Sequence, residues 1–550
     1  MFGHRVPTGV HAGWNVDPLT GSAWPLNEKW WRIDIRSSER LSDVKWVWEA
    51  GRHRDLVILA RAAVLEPDAV WLSELEAMLE GWLEQCPPER GVNWYSSLEL
   101  ALRAIAWAQV LELVGERLDP LIRAGMEAQL VASARHIMLE LPYTVSSMKN
   151  NHLLGDGLGL VVLGRLFPAH PAAQRWRRVG DALFLKQLKR HMRSDGSMIE
   201  DSLSYHRFVL EMLTARVLLG EAPGGVAEAM EAAAENLRQL GALDGPVPQF
   251  GDWDEGRVLA DSAPAGSVSG SCRAGLALAG YEIEPLAWDD HDEVAWYVAP
   301  DVRRGRELQP LARARTGGYF QVVECPPWKV WFKHVTGPSH QHADLTAIWV
   351  LKGGDWIIED PGTGTYNGPL EVRNGLRTSS AHPVWRPADA DQLVPHRAFR
   401  WLQSPRLHSS EPLQTEAGTY LFAWHDAFVE THGRVGRLVR ISQDGIAVHD
   451  FVERPSNGRL TLPLGPSAEV TSIVGMDGAD VVAGKAHPFE GWRSETYGVW
   501  TPSTWLTAVV DGSEVAWGIG APTDEKPAVT WGTDMVSVTV SSGDLVASRG

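Results

Sequence analysis

Side chains that can bind a metal or move a proton are concentrated in the stretch Ser339-His340-Gln341-His342-Ala343-Asp344, with Asp360 and His382 following it. Two histidines spaced by two on a β-strand point to the same face of the sheet, where they can share a site. A His, Asp, His trio (His342, Asp360, His382) drawn from separate strands predicts a zinc site, because zinc takes imidazole and carboxylate ligands in a tetrahedral array. The same residues also fit hydrogen-bonded positions in a β-sandwich, and the pattern alone leaves both interpretations open.

A tyrosine lies in a second polar stretch, Glu200–Arg207, which follows the turn Asp195-Gly196. The pattern predicts a helix that begins near Ser202, with Tyr205 about one turn inside it. A free tyrosine has a pKa of ~10, so it acts as a base only where cationic neighbours lower that pKa. A helical tyrosine is more often half-buried packing, and this alternative stays open.

Amide and imidazole groups open a further helix at Lys149-Asn150-Asn151-His152. Asparagine is a common N-cap, so a cap followed by a turn explains the residues structurally. The functional alternative is that the amide and imidazole donors face a cleft and hold a carboxylate.

Two arginines and a tyrosine, Arg373, Arg377 and Tyr366, fall between Asp360 and His382. Arginine offers planar, bidentate donors that suit a carboxylate or a sulfate. The alternative is surface ion pairs that contribute ~0–1 kcal/mol each. The polar loop Gly251–Arg257 is expected to shape the floor of a cleft.

Helices must position the polar stretches that lie before residue 245, because apolar residues recur at spacings of three and four from about residue 38 to 245. Short turns separate the segments, which predicts antiparallel α-hairpins that close into a partial toroid. The clearest helical segments are Leu72–Gln85, Ser97–Val114, Leu121–Leu139 and Leu203–Leu219, with Pro142 among the turn residues.

Strands must position the candidate site residues that lie after Gly317, because short runs of alternating apolar and polar residues replace the helical pattern there. Runs at this spacing, with Gly and Asp turns between them, predict an antiparallel β-sandwich. We therefore predict a helical domain at 1–300, a polar and basic linker at 300–316, a β-sandwich domain at 301–550, and an irregular loop at 386–416. The predicted strands are Tyr319–Val323, Val330–His334, Leu345–Leu351, Trp356–Ile358, Tyr420–Trp424, Leu438–Ile441, Ile446–Phe451, Leu506–Val510 and Met535–Val540.

Composition excludes several classes of protein. The 550 residues are 44% hydrophobic, which is ordinary for a globular chain and excludes disorder for its bulk. A formal charge of -18 argues against a protein that coats nucleic acid or an anionic membrane, so a polyanionic substrate needs a local basic groove. The 26 tryptophans are numerous, and their flat faces suit stacking on sugar rings, although most are expected in the core.

The sequence also bears on disulfide bonds and on the location of the protein. Cys86, Cys272 and Cys325 are too few and too scattered for a disulfide framework. No apolar run is long enough for a membrane span, and the first residues, Met1–Pro7, lack the apolar segment of a signal peptide. The expected location is the cytoplasm, or the periplasm or exterior if a signal has been removed.

Taken together and in order, these stretches resemble the heparinase II/III-like family of polysaccharide lyases. The matching residues are Asn150-Asn151-His152, Asp195-Gly196, Ser204-Tyr205-His206-Arg207, Gly251-Asp252, Gly256-Arg257, His340-Gln341-His342-Ala343-Asp344, Asp360-Pro361-Gly362-Thr363, Tyr366, Arg377-Thr378 and Ala381-His382. The resemblance implies an α+β multidomain chain, with an incomplete (α/α) toroid followed by an antiparallel β-sandwich. This agrees with the element pattern.

The resemblance implies β-elimination at a 4-linked uronic acid in an anionic polysaccharide or oligosaccharide. The C5 proton is weakly acidic until the adjacent carboxylate is neutralised, which Asn151 and His152 would do through hydrogen bonds that strengthen in the transition state. Tyr205 would abstract the C5 proton, protonate O4, or do both, and His340 would be the partner base or acid.

Further roles follow from the resemblance. His342, Asp360 and His382 match the structural zinc set of some members, and no organic cofactor is implied. The implied substrate-binding residues are Asn150, His206, Arg207, Tyr366, Arg373 and Arg377. The chain departs from some members in one respect, since Gly155 stands where they carry an acid three residues after the histidine of the first motif.

Two other functions compete with the lyase. Helical toroids also host inverting glycoside hydrolases, and Glu200, Asp201, Asp252 or Asp254 could supply the required pair of carboxylates. A polysaccharide-binding or assembly protein on a degenerate lyase scaffold would be expected to lose Tyr205 or His340, and both residues are present.

Overall fold

The computed structural model describes residues 13–35, 42–148, 150–260, 266–283, 292–298, 305–520 and 525–549. The chain divides into two compact units. The first comprises Met1–Arg193, Arg207–Ala234 and Gly256–Glu307, and the second comprises Ser194–His206, Glu235–Glu255 and Leu308–Gly550. The predicted domain boundary at residue 300 stays a prediction. The two compact units are not continuous in sequence, since two segments before residue 300 belong to the second unit. The segment Met1–Pro7, Lys149 and part of the predicted linker lie outside the described residues.

Helices dominate the described residues up to 298. They are α1 (Val44–Gly51), α2 (Arg54–Leu65), α3 (Trp71–Gln85), α4 (Ser97–Val114), α5 (Pro120–Ser147), α6 (Asn151–Leu166), α7 (Ala173–His191), α8 (Leu203–Leu218), α9 (Val226–Leu240), α10 (Ser269–Leu278) and α11 (Asp292–Tyr297). Three of the four clearest predicted helices begin and end within one residue of α3, α4 and α8. No helix among the described residues is long and apolar enough to span a membrane.

Helices α4 and α6 pack closely because glycine lines their contact. A Cβ on Gly155 would clash with Leu98, and one on Gly159 would come within 2.9 Å of the Cα of Ala101. An acidic side chain at position 155 would require the Leu98 side chain to move, and it would lie against the apolar groups of Leu98 and Met212. The helical core is completed by buried tryptophans and leucines, including Trp82 and Trp107.

Helix α5 is longer than the sequence predicts. It continues through Pro142 to Ser147, whereas Pro142 was expected at a turn. A proline removes one helical hydrogen bond, but its fixed φ is compatible with a helix. The hydroxyl of Thr144 lies 3.3 Å from the carbonyl oxygens of both Glu140 and Leu141 and donates to them, which adds hydrogen bonding in the turn that contains the proline.

Strands dominate the remaining described residues, and the α-helix α12 (Leu370–Arg377) lies among them. They are β1 (Ala314–Thr316), β2 (Phe320–Cys325), β3 (Trp328–Lys333), β4 (Ile348–Lys352), β5 (Asp355–Ile358), β6 (Trp385–Pro387), β7 (Pro395–His396), β8 (Arg400–Trp401), β9 (Leu407–Ser409), β10 (Leu413–Thr415), β11 (Gly418–His425), β12 (Val435–Ile441), β13 (Gly445–Val452), β14 (Gly458–Pro463), β15 (Ile473–Val474), β16 (Asp480–Val482), β17 (Trp492–Thr496), β18 (Val499–Pro502), β19 (Trp505–Val510), β20 (Glu514–Gly520), β21 (Ala528–Trp531), β22 (Met535–Val540) and β23 (Gly543–Ser548).

Antiparallel sheets pack around a large apolar core in the second unit. The first sheet has the order β1-β2-β3-β4-β5, and the largest has the order β10-β11-β12-β13-β20-β15, with β9 also paired to β11. Buried residues such as Val330, Val350, Val439 and Leu460 come from both of these sheets and from the sheet β16-β19-β14-β6. The predicted fold class, helices followed by an antiparallel sandwich, is confirmed.

Two local predictions are wrong. The His340–His342 segment is irregular and not a strand, because His340 and Thr346 have φ values of +60° and +62°, in the left-handed region that interrupts a strand. Asp360 and His382 also lie just after a strand and a short 3₁₀ turn, so the trio comes from loops and not from strands. The segment 386–416 is more regular than expected, since strands β7 to β10 lie within it.

Candidate functional site

A tight loop carries Asp252 to the segment that contains His340. Gly251 has a φ of +68°, and a Cβ there would lie 2.5 Å from the Asp201 carbonyl oxygen and 2.8 Å from that of His340, so only glycine fits. The Asp252 amide donates to the His340 carbonyl oxygen at 2.7 Å. The Trp253 amide donates to the Thr363 hydroxyl at 2.6 Å. These contacts fix the loop within the second unit.

The Asp252 carboxylate is a buried acceptor for three side chains. His340 Nδ1 lies 2.9 Å from Oδ2, and His342 Nε2 lies 3.3 Å from Oδ1. Arg373 binds the same carboxylate in a bidentate manner, with its two terminal nitrogens at 2.5 and 2.8 Å. One carboxylate therefore orients both histidines of the His-x-His motif.

Charge pairing sets the protonation of this cluster. Burial alone would raise the pKa of Asp252, but Arg373 and the two histidine hydrogen bonds hold that pKa well below its ordinary value. Burial would lower the pKa of His340, but the hydrogen bond to Asp252 and the charge of Glu200 raise it. Because Nδ1 of His340 faces an ionised carboxylate, it carries a hydrogen, and Nε2 is left as the nitrogen that can exchange a proton.

Tyr205 stacks on His340. Their ring centres are 3.8 Å apart and the ring planes differ by 25°. The Tyr205 hydroxyl lies 3.4 Å from both an Asp254 carboxylate oxygen and the Tyr366 hydroxyl. Burial, with the charges of Asp254 and Asp252, raises the pKa of Tyr205 well above 10, so its hydroxyl is protonated in the resting protein. A tyrosine acts as a base only beside cationic groups, whereas the charges that act on Tyr205 are carboxylates.

Three side chains converge as the sequence predicts for a metal. Ligand atoms of His342, Asp360 and His382 lie within 4.8 Å of one another, and all three residues are buried. Nδ1 of His342, Oδ2 of Asp360 and both ring nitrogens of His382 have no hydrogen-bond partner. Burial lowers the pKa of His342 to about 4 and that of His382 well below 6.5, so both imidazoles are neutral. Unpartnered, buried and neutral imidazoles beside a carboxylate are the donor set that a zinc ion requires.

Other buried ionisable groups lie near the trio. The Lys333 ammonium lies 2.6 Å from Asp344 and 2.9 Å from Asp201, and all three are fully buried. Burial and the charge of Asp344 raise the pKa of Asp360 well above its ordinary value. The lysine thus pairs with two of these buried carboxyl groups, and a divalent cation beside the third, Asp360, would favour its ionised form.

The two predicted substrate-binding arginines are both buried. Arg373 is occupied by Asp252, and its Nε and one terminal nitrogen donate to the Ala398 carbonyl oxygen at 3.1 and 2.8 Å. Arg377 donates to the carbonyl oxygens of Ala398 and Arg397 at 2.6 Å and stacks 4.7 Å from Trp401. Their binding of substrate stays a prediction, and the contacts observed are with the chain itself. Tyr366 lies beside Tyr205, as described above.

His206 and Arg207 also have internal partners. His206 Nδ1 lies 2.8 Å from the Tyr319 hydroxyl, within the second unit. In the first unit, Arg207 donates to the carbonyl oxygens of Ser267 and Gly256 at 2.7 and 3.2 Å. Both side chains are fully buried, which suits a structural role.

The first motif opens α6 in the first unit. The Asn150 side chain caps this helix by accepting from the His152 amide at 3.2 Å, so the capping interpretation holds for Asn150. Asn151 is buried and His152 is half-buried. Their role in neutralising a carboxylate stays a prediction.

Sequence reasoning did not identify Asp252 and Asp254 as partners of His340 and Tyr205. It assigned the loop only to a cleft floor, or to a hydrolytic carboxylate pair. The one available signal was Gly251-Asp252, a glycine that permits close approach directly before a carboxylate.

The family comparison covers both parts of the chain. The family described as Heparinase II/III N-terminus matches residues 22–252, and the family described as Heparinase II/III-like, C-terminal, matches residues 306–517. Together the two matches contain Asn151, Tyr205, Asp252, His340 and the metal trio.

Similar sequences and structures point to the same family. A heparin-sulfate lyase of Bacteroides thetaiotaomicron is 23% identical over 227 residues, which are 38% of this chain and 32% of that protein. The match thus spans about a third of the length of this curated relative. The crystal structure of heparinase III has a TM-score of 0.62 at 15% identity, and the match covers 94% of this chain and 85% of that one. A heparan sulfate lyase mutant from Pedobacter heparinus has a TM-score of 0.55 at 15% identity, with the same coverage, and both likenesses concern the fold. The chain belongs to the heparinase II/III-like family.

Proposed function

We propose that this protein is a polysaccharide lyase that cleaves a 4-linked uronic acid polymer by β-elimination. The observation that carries the proposal is the stack of Tyr205 on His340, with Asp252 bonded to the histidine on the side away from Nε2. An acid and a base held side by side in a pre-oriented pair are what elimination requires.

His340 Nε2 takes the C5 proton, and the electron pair of that C–H bond forms the C4–C5 double bond. The C4–O4 bond breaks, and the Tyr205 hydroxyl gives its proton to the departing O4. A protonated tyrosine suits this role, because a sugar alkoxide is a stronger base than a tyrosinate. Asp252 accepts the Nδ1 hydrogen throughout and stabilises the imidazolium that forms, as a buried aspartate does for other catalytic histidines. The predicted contribution of Asn151 and His152 is to neutralise the C5 carboxylate.

Zinc fits the trio His342, Asp360 and His382, because their buried donor atoms otherwise lack partners. When bound, it supplies positive charge and fixes the three side chains. His342 would then bind it through Nδ1 and donate its Nε2 hydrogen to Asp252, which is the arrangement that orients metal-binding histidines in other proteins. The residues of the chain, His340 and Tyr205, carry the proton transfers.

The hydrolase alternative is disfavoured at Asp252. Its two oxygens already accept from Arg373, His340 and His342, and its pKa is held well below the ordinary value. Such a carboxylate cannot hold the proton that a general acid must donate.

A glycosaminoglycan is the substrate class that the relatives suggest, since those named above are called heparin-sulfate and heparan sulfate lyases. The proposed substrate is an anionic uronate polysaccharide or oligosaccharide of this class.

The test is the ultraviolet absorbance of the unsaturated uronate product, measured over a panel of uronic acid polysaccharides. Tyr205→Phe removes the proposed acid and should lower kcat by about 100-fold or more. Tyr143→Phe, at an exposed tyrosine of α5, is the matched control and should leave the rate unchanged. Near-full elimination by Tyr205→Phe would refute the assignment, and saturated sugar ends in place of unsaturated ones would indicate hydrolysis.

A further inference from the structure

The hairpin formed by β7 and β8, residues 395–401, is fastened at its tip. The Ala398 carbonyl oxygen accepts from Arg373 and from Arg377, and the Arg397 carbonyl oxygen accepts from Arg377. Charged donors make strong hydrogen bonds, and both guanidinium groups are buried. The tip is therefore held in one position by helix α12, on which both arginines lie.

This tip lies beside the proposed catalytic pair. The Phe399 ring is 5.6 Å from the His340 ring and 4.9 Å from the Tyr366 ring, centre to centre. The Trp401 indole nitrogen donates to the Gln341 carbonyl oxygen at 3.2 Å, which ties the second strand of the hairpin to the histidine segment.

Unpaired positive charge flanks Phe399. Arg397 and Arg400 are both exposed, and within the described parts of the chain neither forms an ion pair with an acidic side chain. No acidic residue occurs between Asp391 and Glu411, while Arg397, Arg400 and Arg406 fall in that interval. In a chain with a formal charge of -18, such a segment is the local basic surface that a polyanion would need.

We propose that Arg397 and Arg400 form an anion-binding subsite for the sugar next to the one that is cleaved. The ligand chemistry is a carboxylate or sulfate on a uronate oligosaccharide, which arginine binds through planar, paired donors. The subsite rests on the proposed function, because it deepens the substrate recognition of the same site. Arg373 and Arg377 hold this subsite in place through their hydrogen bonds to the carbonyl oxygens of the hairpin tip.

The experiment measures binding by calorimetry in a Tyr205→Phe background, so that the probe is not cleaved. The probes are an unsulfated heparosan hexasaccharide, a sulfated heparan sulfate hexasaccharide and neutral cellohexaose. Arg397→Gln with Arg400→Gln should weaken binding of an anionic probe by about three- to tenfold and reduce its dependence on salt. The Lys versions, which keep the charge, should recover part of the loss. Arg454→Gln, at an exposed arginine after β13, is the control and should change nothing.

The two anionic probes separate the sources of the charge. A loss confined to the sulfated probe assigns the subsite to sulfate, and an equal loss for both assigns it to carboxylate. Unchanged affinity in the double variant, an equal loss in Arg454→Gln, or failure of the parent to bind either anionic probe would overturn the subsite. Because binding is measured without turnover, a dependence on Arg397 and Arg400 would stand even if the wild-type protein released no unsaturated product.

Discussion

Nδ1 of His340 lies 2.9 Å from Oδ2 of Asp252, although 88 positions separate the two residues in the sequence. The hydrogen bond places the imidazole hydrogen on Nδ1 and leaves Nε2 as the nitrogen that can exchange a proton. Asp252 is thus a positioning residue that acts through His340.

Replacing Asp252 by Asn keeps the shape of the side chain and removes its charge. We expect kcat to fall by about 100-fold with little change in KM, because the imidazole loses its orientation and its counter-charge. In a His340→Ala background the same replacement should cause little further loss, since the residue acts through the histidine. Steady-state kinetics of the single and double variants measure this, with Asp244→Asn, at an exposed aspartate of the same stretch, as the control. Equal losses in both backgrounds would show that the two residues act independently.

Metal analysis of the purified protein should find about one zinc per chain. His382→Ala removes one of the three ligands and should release the metal and lower Tm by on the order of 5 °C or more, since metal binding is coupled to folding. His487→Ala, at a histidine that is 77% exposed, should retain both metal and stability. Metal-free wild-type protein with unchanged stability after His382→Ala would reduce the trio to ordinary packing.

Asp156, on α6 in the first unit, predicts a pH-dependent stability. Its carboxyl is fully buried near the hydroxyls of Ser97 and Thr144, and burial raises its pKa to about 7. Because the folded state binds this proton more tightly than the unfolded chain, the associated stability is complete below the ordinary pKa near 4 and is lost as pH rises through about 7. The full span corresponds to roughly 4 kcal/mol.

Asp156→Asn cannot ionise, so its advantage in Tm over the wild type should grow between pH 5 and pH 8. Thermal unfolding at both pH values measures this, and Asp68→Asn, at an exposed aspartate, should show no such trend. A constant difference at the two pH values would contradict a buried, titrating Asp156.

The element order was predictable because periodicity is a local property. Ser97–Val114 is helical over the full predicted range, and Met535–Val540 is a strand over the full predicted range. The bend at His340 was not predictable in this way, because the positive φ of this histidine accompanies contacts with Gly251 and Asp252, which are distant in the sequence.

The candidate site was predictable in part, for a related reason. Residue types identified the trio His342, Asp360 and His382, which the structure brings together. The roles of the arginines depend on contacts with a hairpin whose tip is held by its backbone carbonyls, and side-chain identity carries no signal for such a contact.

The interleaving of the two units limits how the chain can be divided. Tyr205 and Asp252 precede residue 300 in sequence, yet they belong to the same compact unit as His340. A fragment that begins after residue 300 would keep the histidines and lose the tyrosine and the carboxylate that serve them. Exchange of the sheet-rich part between relatives would therefore preserve this constellation only if the segments 194–206 and 235–255 were transferred with it.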